Sequence, residues 1–249
     1  MSNDDERERT KGGSIVYQHA PRAEGWTPPA DGDEHWMRAI EEHVARHVAP
    51  VDVVFHEIVS DLVHLDVHLV PPGARNPYWM LFTTGMSARP MTMPPGAPGS
   101  PYAELAILLP PEWRCDQESW KDERWYWPVR WLKTLARLPH EYRTWLSHGH
   151  TIPNGDPARP FDRSTALSGM IVFPSISLTP EAQQIPVGDL EIDLWTLWPL
   201  HADEMQYKLD HGADALIDLF ESAGVRDVID PDRPSVVKKP PRKKLFGIF

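Results

Sequence analysis

Apolar and polar positions alternate without a slip along residues 63–69. Val63, Leu65, Val67 and Leu69 fall on one side of an extended chain, and His64, Asp66 and His68 on the other, because successive strand side chains point to opposite faces. Pro71-Pro72 closes that strand. Residues 51–59 predict a preceding strand, joined to it as a hairpin through a Ser60-Asp61 turn. Residues 76–84 are almost continuously apolar, which predicts a strand buried on both faces at the centre of a sheet. Residues 102–109 predict a fourth strand, with Glu104 set among apolar neighbours, and residues 168–173 and 190–197 predict two more.

Helical spacing fills the intervals. Trp36, Ile40, Val44 and Val48 recur every fourth residue, predicting a helix over 33–48 that Asp31 or Asp33 caps and Pro50 stops. Its His43 and His47 lie one turn apart on a charged face and read as solvated. Residues 116–142 predict two or three helical pieces. Pro128 sits in the first turn of one, Trp131, Leu132, Leu135 and Leu138 form its apolar stripe, and Pro139 ends it. The last helix, 202–223, buries Met205, Leu209, Leu216 and Phe220 and stops at Gly224. A helix, four strands, helices, two strands and a helix do not alternate as a doubly wound sheet does. The fold expected is α+β, a mixed or antiparallel sheet packed with helices. Its limits are set at 31–230, between a mobile N-terminal arm at 1–30 and a basic, Pro/Lys-rich tail at 231–249.

Composition narrows the function. A net charge of −11 argues against nucleic acid as the partner, since phosphate binding needs a basic face. Five cations crowd the tail (Lys238, Lys239, Arg242, Lys243, Lys244), so the body is more acidic still and suited to a basic protein partner. No apolar run is long enough for a transmembrane segment, and the N-terminus has no secretory pattern. With Cys115 as the one cysteine, no intrachain disulfide forms and a reducing cytoplasm is the expected location.

No complete catalytic motif occurs. His56-Glu57 begins a zinc-protease pattern, but position 60 is Ser and the context is extended. Ser87 lacks a nucleophile elbow, Cys115 has no activating neighbour beyond Arg114, and no phosphate-cradling glycine loop is present. The richest polar set combines His64, Asp66 and His68 with His140, His148 and His150. A His-x-His pair on one strand face can converge on an ion. The alternative function is therefore a metal-dependent hydrolase using His64, Asp66, His68, His148 and His150. A hydrogen-bonded network that orients the loops over the sheet is preferred to it, and no metal or cofactor is called for.

One set of motifs in order resembles the suppressor-of-fused family: Phe55-His56-Glu57-Ile58 to Ser60-Asp61; His64-Leu65-Asp66-Val67; Thr84-Gly85-Met86-Ser87 with Pro90-Met91; and Glu104-Leu105 to Leu109-Pro110. It continues with Trp127-Pro128-Val129; Pro139-His140; Thr144-Trp145-Leu146; Gly149-His150-Thr151-Ile152; and Pro199-Leu200 before Glu204. The resemblance implies a non-enzymatic domain that grips another protein, partly by adding an extended partner segment as a strand. It also implies that His56, Asp61, His64, Asp66, Met86, Ser87, Glu104, His140, Thr144 and His150 form the binding site. Short bacterial members are associated with toxin systems, so the resemblance makes a toxin the candidate partner and an immunity protein the candidate role.

Overall fold

In a computed structural model of the chain, residues 8–19, 34–56 and 62–237 are described. The stripe around Ile40 and Val44 forms α1 (Glu34–His47). The predicted hairpin follows as β1 (Val53–Phe55) and β2 (Asp66–Val70), antiparallel, with Val54 opposite His68. The apolar run becomes β3 (Trp79–Thr84), and residues 103–109 become β4 (Ala103–Leu109). Then come α2 (Glu123–Tyr142), β5 (Thr151–Pro153), β6 (Gly169–Phe173), the short α3 (Pro180–Gln183), β7 (Gln184–Val187) and β8 (Leu190–Leu200). Two helices, α4 (Ala202–His211) and α5 (Ala213–Ala223), close the fold.

Among the described residues, eight strands share one sheet in the order β1-β2-β3-β4-β8-β6-β5, with β7 along the first part of β8. Only the β4–β8 pairing is parallel, so the sheet is mixed. As expected of a run apolar on both sides, β3 lies between β2 and β4. The fold is the α+β arrangement the element order implies.

Alternation sorts the core into two faces. Val67 and Leu69 of β2 join Leu81, Leu105 and Ile107 beneath α2, which contributes Trp127, Leu132 and Leu135. Val70 lies with Met80, Phe82 and Leu108 against Ile40 and Val44 of α1. Farther along that second face, Ile171, Trp198 and Leu200 pack against Met205, Leu216 and Phe220 of α4 and α5. The crowded tryptophans Trp113, Trp127 and Trp131 are buried core. No helix among the described residues is long and apolar enough to cross a membrane.

Several boundaries differ from expectation. Helix α2 starts at Asp122, whose side chain accepts the Arg124 N–H, and runs through both Pro128 and Pro139. Pro139 falls in its last turn, where its missing N–H forfeits one backbone bond without ending the helix, and Arg143 in the left-handed region ends it. The single helix expected over 202–223 breaks at Gly212, whose φ of 94° lies outside the helical range. His43 is not solvated. It is buried, and its Nε2–H donates to the Glu181 carbonyl at 2.9 Å, tying α1 to α3. Within the stretch read as a mobile arm, residues 8–19 form a tight turn seated on α4. The Gly12 N–H donates to the Leu209 carbonyl at 2.8 Å, and Lys208 Nζ donates to Ser14 Oγ at 3.2 Å.

The domain also reaches past 230. Val228 adds beside Leu108 of β4, on the stretch that β8 leaves unpaired, and the Ile229 N–H donates to the Leu108 carbonyl at 2.9 Å. Buried Asp227 accepts from Ser175, Ile176 and Ser177, pinning the loop after β6. Arg233 then forks onto Glu204, both contacts at 2.6 Å, and donates to the Pro199 carbonyl at 2.8 Å. The physical reason is Glu204: its side chain is 0% exposed, so its charge requires a partner, and that partner lies in the expected tail. Of the strand expected over 51–59, β1 (Val53–Phe55) is the part among the described residues, 57–59 lying outside them.

Arg233→Ala strands that buried carboxylate and is expected to cost roughly 3–5 kcal/mol in urea unfolding. Adding Glu204→Gln is expected to recover a substantial part. Equal losses in the single and double variants would show that charge is not the cause.

Candidate protein-binding site

The site begins where β3 parts from β4. Their pairing ends at Phe82–Ala106. One residue on, the Thr83 hydroxyl takes over the ladder, accepting the Leu105 N–H at 3.0 Å. The chain then turns through Gly85 into a single 3-10 turn, Met86–Ala88. That turn leaves backbone donors without a strand partner, and Glu104 collects them. Its Oε1 accepts the Gly85 N–H at 3.0 Å, the Ser87 N–H at 3.0 Å and the Ser87 hydroxyl at 2.6 Å, while Oε2 accepts from Thr83 Oγ1 at 2.6 Å. Glu104 is fully buried. Desolvation pushes its carboxyl up to about 7, even though the bonds from Ser87, Thr83 and Gly85 all pull the other way.

The same turn is held from two other directions. Gly85 has φ 103°, and a Cβ there would lie 1.8 Å from the His64 carbonyl oxygen, so only glycine permits the turn to rest on β2's approach. From α2, His140 Nε2–H donates to the Met86 carbonyl at 2.8 Å. Burial lowers the His140 pKa and keeps its ring neutral, with the proton on the nitrogen that faces the carbonyl. Buried Thr144 follows the helix: its N–H donates to the Pro139 carbonyl at 2.9 Å, and its own carbonyl accepts the Thr92 N–H at 3.0 Å. The Pro/Met-rich loop is thereby fastened to the end of α2.

Beside Gly85 lies a second group. Asp66, at the start of β2, is 1% exposed; His56 Nδ1 stands 2.9 Å from its Oδ2 and His64 Nε2 stands 3.3 Å from its Oδ1. His56 reaches it from the end of β1, so the hairpin brings together residues ten apart in sequence. His68 does share the Asp66 side of β2, but it turns under α1, stacks on Phe82 at 4.7 Å and meets Thr84 Oγ1 at 2.9 Å. Burial lowers its pKa to about 4.

The structure thus joins His56, His64, Asp66, Met86, Ser87, Glu104 and His140 into one contiguous polar region, with Thr144 at its margin. His150 stands apart. It packs edge-on against Trp145, and burial lowers its pKa to about 4. His148 lies against Phe173. Asp61 lies outside the described residues. The five residues named for a hydrolase therefore do not converge: His68 is committed to Thr84, and His148 and His150 belong to a different part of the sheet. Ser87 is 1% exposed with its hydroxyl given to Glu104, and burial, with Asp116 nearby, pushes the Cys115 thiol up to about 12. Neither is a nucleophile. Sequence reasoning missed Asp227 and Arg233, whose partners lie far off in the chain. The one available signal was an acidic residue at 204 directly before Met205, where the predicted apolar stripe begins.

Glu104→Ala is expected to leave the turn's donors buried and unpaired, costing about 2–4 kcal/mol. Glu104→Gln keeps an acceptor for the Gly85 and Ser87 donors and offers an N–H to the Thr83 oxygen, so it is expected to cost far less. The two also separate by pH. Native Glu104 keeps a proton up to about 7 that the unfolded chain has already released. Its stabilisation is full below the unfolded value and falls as pH rises from about 4.5 to 7. Buried neutral His150 acts oppositely, losing stability as pH falls from 6.5 toward 4. The measurement is therefore the difference between wild-type and Glu104→Gln denaturation from pH 4.5 to 8. A flat difference would rule out a proton on Glu104.

The Suppressor of fused protein (SUFU) family model matches residues 61–234. No curated protein sequence matches the chain. Among solved structures, a SUFU homologue from Neisseria gonorrhoeae superposes with a TM-score of 0.63 at 15% identity, over 84% of this chain and 100% of that one. A chain of the Sufu-Fu complex superposes at 0.57 and 15% identity, over 84% and 93%. Drosophila Suppressor of Fused superposes at 0.56 and 15% identity over 85% of this chain, which spans 52% of that protein. Identities at this level show the fold alone. The family match begins ahead of β2 and runs past Arg233, whose fork onto Glu204 closes the domain, and the chain belongs to the suppressor of fused family.

Proposed function

We propose that this chain is a non-enzymatic protein-binding domain that receives an extended segment of its partner along the β1 edge of the sheet. The observation that carries the reading is where that edge lies. Among the described residues β1 has no strand beyond it, and it ends at His56, on the polar region built from Asp66 and the Gly85–Ser87 turn. An added segment would find backbone partners along β1 and side-chain recognition at its end, the two components of strand addition. Val53, at the start of β1, is one of two large apolar side chains that are exposed among the described residues. The opposite edge, β5, is equally short but ends in Pro153, which cannot donate to a new strand.

Protein binding also agrees with the complex that one structural relative forms, the Sufu-Fu complex. The net charge of −11 favours a basic partner and a fast encounter with it. A toxin neutralised by masking is the specific partner we infer, which makes the chain an immunity protein acting in the cytoplasm.

The test is co-expression with the product of the adjacent gene. A complex that protects the host from that protein's toxicity is expected; neither complex nor protection would remove it as the partner. Val53→Lys places a charge on the proposed edge, a device that blocks strand addition. It is expected to weaken the complex at least about tenfold while leaving thermal unfolding unchanged. Undiminished affinity would move the docking surface elsewhere.

A further inference from the structure

Among the described residues, His56, His64 and Asp66 are the one set of three whose nitrogen and carboxylate donors all lie within 4.8 Å of one another. We propose that these three hold a first-row divalent cation of the zinc class, with one coordination position open to solvent. The proposal is independent of the protein-binding reading.

Spacing comes first. Zinc takes imidazole nitrogens and carboxylate oxygens at about 2.0–2.2 Å in a tetrahedral array, which sets neighbouring donors about 3.3 Å apart. His56 Nδ1 stands 2.9 Å from one Asp66 oxygen and His64 Nε2 3.3 Å from the other. Each imidazole faces a different Asp66 oxygen and all three donors lie within 4.8 Å of one another, close enough for small side-chain rotations to bring them onto one ion, and two imidazoles with one carboxylate make a set that suits zinc and its neighbours in the row.

Burial supplies the second argument. Asp66 is 1% exposed, and its Oδ1 accepts no hydrogen bond. Buried polar atoms are nearly always satisfied, so an oxygen left over beside two imidazoles points to a missing electrophile. Nothing cationic other than those rings faces it: the Asp66 carboxylate has no contact with an arginine or lysine within ion-pair distance among the described residues. Contrast Glu104, whose lone pairs are taken by four donors, and Glu204, which has Arg233.

The surroundings suit a site that an ion can enter. Asp66 is fixed by pairing within β2, and His64 is braced at its carbonyl by Gly85. His56 is 69% exposed and His64 35%, so the approach and the fourth position face water. Three protein ligands and an open position is the arrangement in which zinc accepts an outside donor. Water would fill it in the free protein. The other histidine pairs are committed elsewhere: His43 donates to the Glu181 carbonyl, and His148 and His150 pack on Phe173 and Trp145.

The experiment uses the full chain without a polyhistidine tag, stripped with chelator and titrated with Zn(II) by calorimetry and with Co(II) by visible absorption. One equivalent is expected to bind, with Co(II) giving ligand-field bands of a four-coordinate site, and Zn(II) is expected to raise the unfolding temperature progressively with concentration. His56→Ala is expected to abolish all three signals; because it also removes a hydrogen bond to buried Asp66, its metal-free unfolding temperature is expected to fall, and an unchanged far-UV spectrum shows that the fold is retained. His64→Ala repeats the test from the second ligand, avoiding substitution of the buried Asp66. Absence of binding to wild type would overturn the proposal, as would binding that survives unchanged in both variants.

Discussion

A buried carboxylate in the middle of the sheet governs the arrangement around it. Where β3 separates from β4, the buried Gly85 and Ser87 N–H groups have no ladder partner. Glu104 replaces those partners with two oxygens, and every contact goes to backbone or hydroxyl donors on the Thr83–Ser87 turn. Leaving such donors unpaired would cost more than the net worth of the bonds, so the turn has one low-energy position. His140 clamps it from α2 and Gly85 seats it on His64. Helix, turn and hairpin are therefore registered against one another through polar contacts, not by the apolar core alone, whose packing would tolerate small sliding.

Much of the fold was legible because its signals are local. The alternation through 63–69 names both faces of β2, and the apolar run through Thr84 names a central strand, since each depends only on the two-residue period of a strand. Elements without a local signal were not legible. β7 carries Gln184 and Pro186 and pairs only because β8 runs long enough to offer an edge beside β6. Pro139 was expected to end a helix that in fact continues four residues past Leu138, because one forfeited donor does not outweigh a helix packed on the sheet through Leu132 and Leu135. Gly212 breaks what its periodicity presents as one helix, and nothing in the flanking stripe marks the break.

The polar region divides in the same way. His64 and Asp66 share a strand face by periodicity, and the hairpin brings His56 to them. Their grouping follows from pairing that the sequence pattern already implies. His68 follows the same periodicity yet leaves the group, because the face that was expected to be open lies under α1 and its ring finds Phe82 and Thr84 instead. His148 and His150 share no element with the hairpin, and their loop carries them to Phe173 and Trp145 instead. The acidic anchors were least visible: Asp227 meets Ser175 across 52 residues and Glu204 meets Arg233 across 29, separations at which neither period nor spacing carries information.

These two halves of the region differ in what they can do. Glu104, Ser87 and Met86 are buried, the first two satisfying one another, and half-buried His140 gives its Nε2–H to the Met86 carbonyl, so these residues chiefly set position. His56 and His64 are the members that meet solvent, with a buried carboxylate behind them. On the proposed strand-addition reading, a partner meets the hairpin edge, where the outer donors are imidazoles backed by a carboxylate that the β2–β3 pairing holds in place.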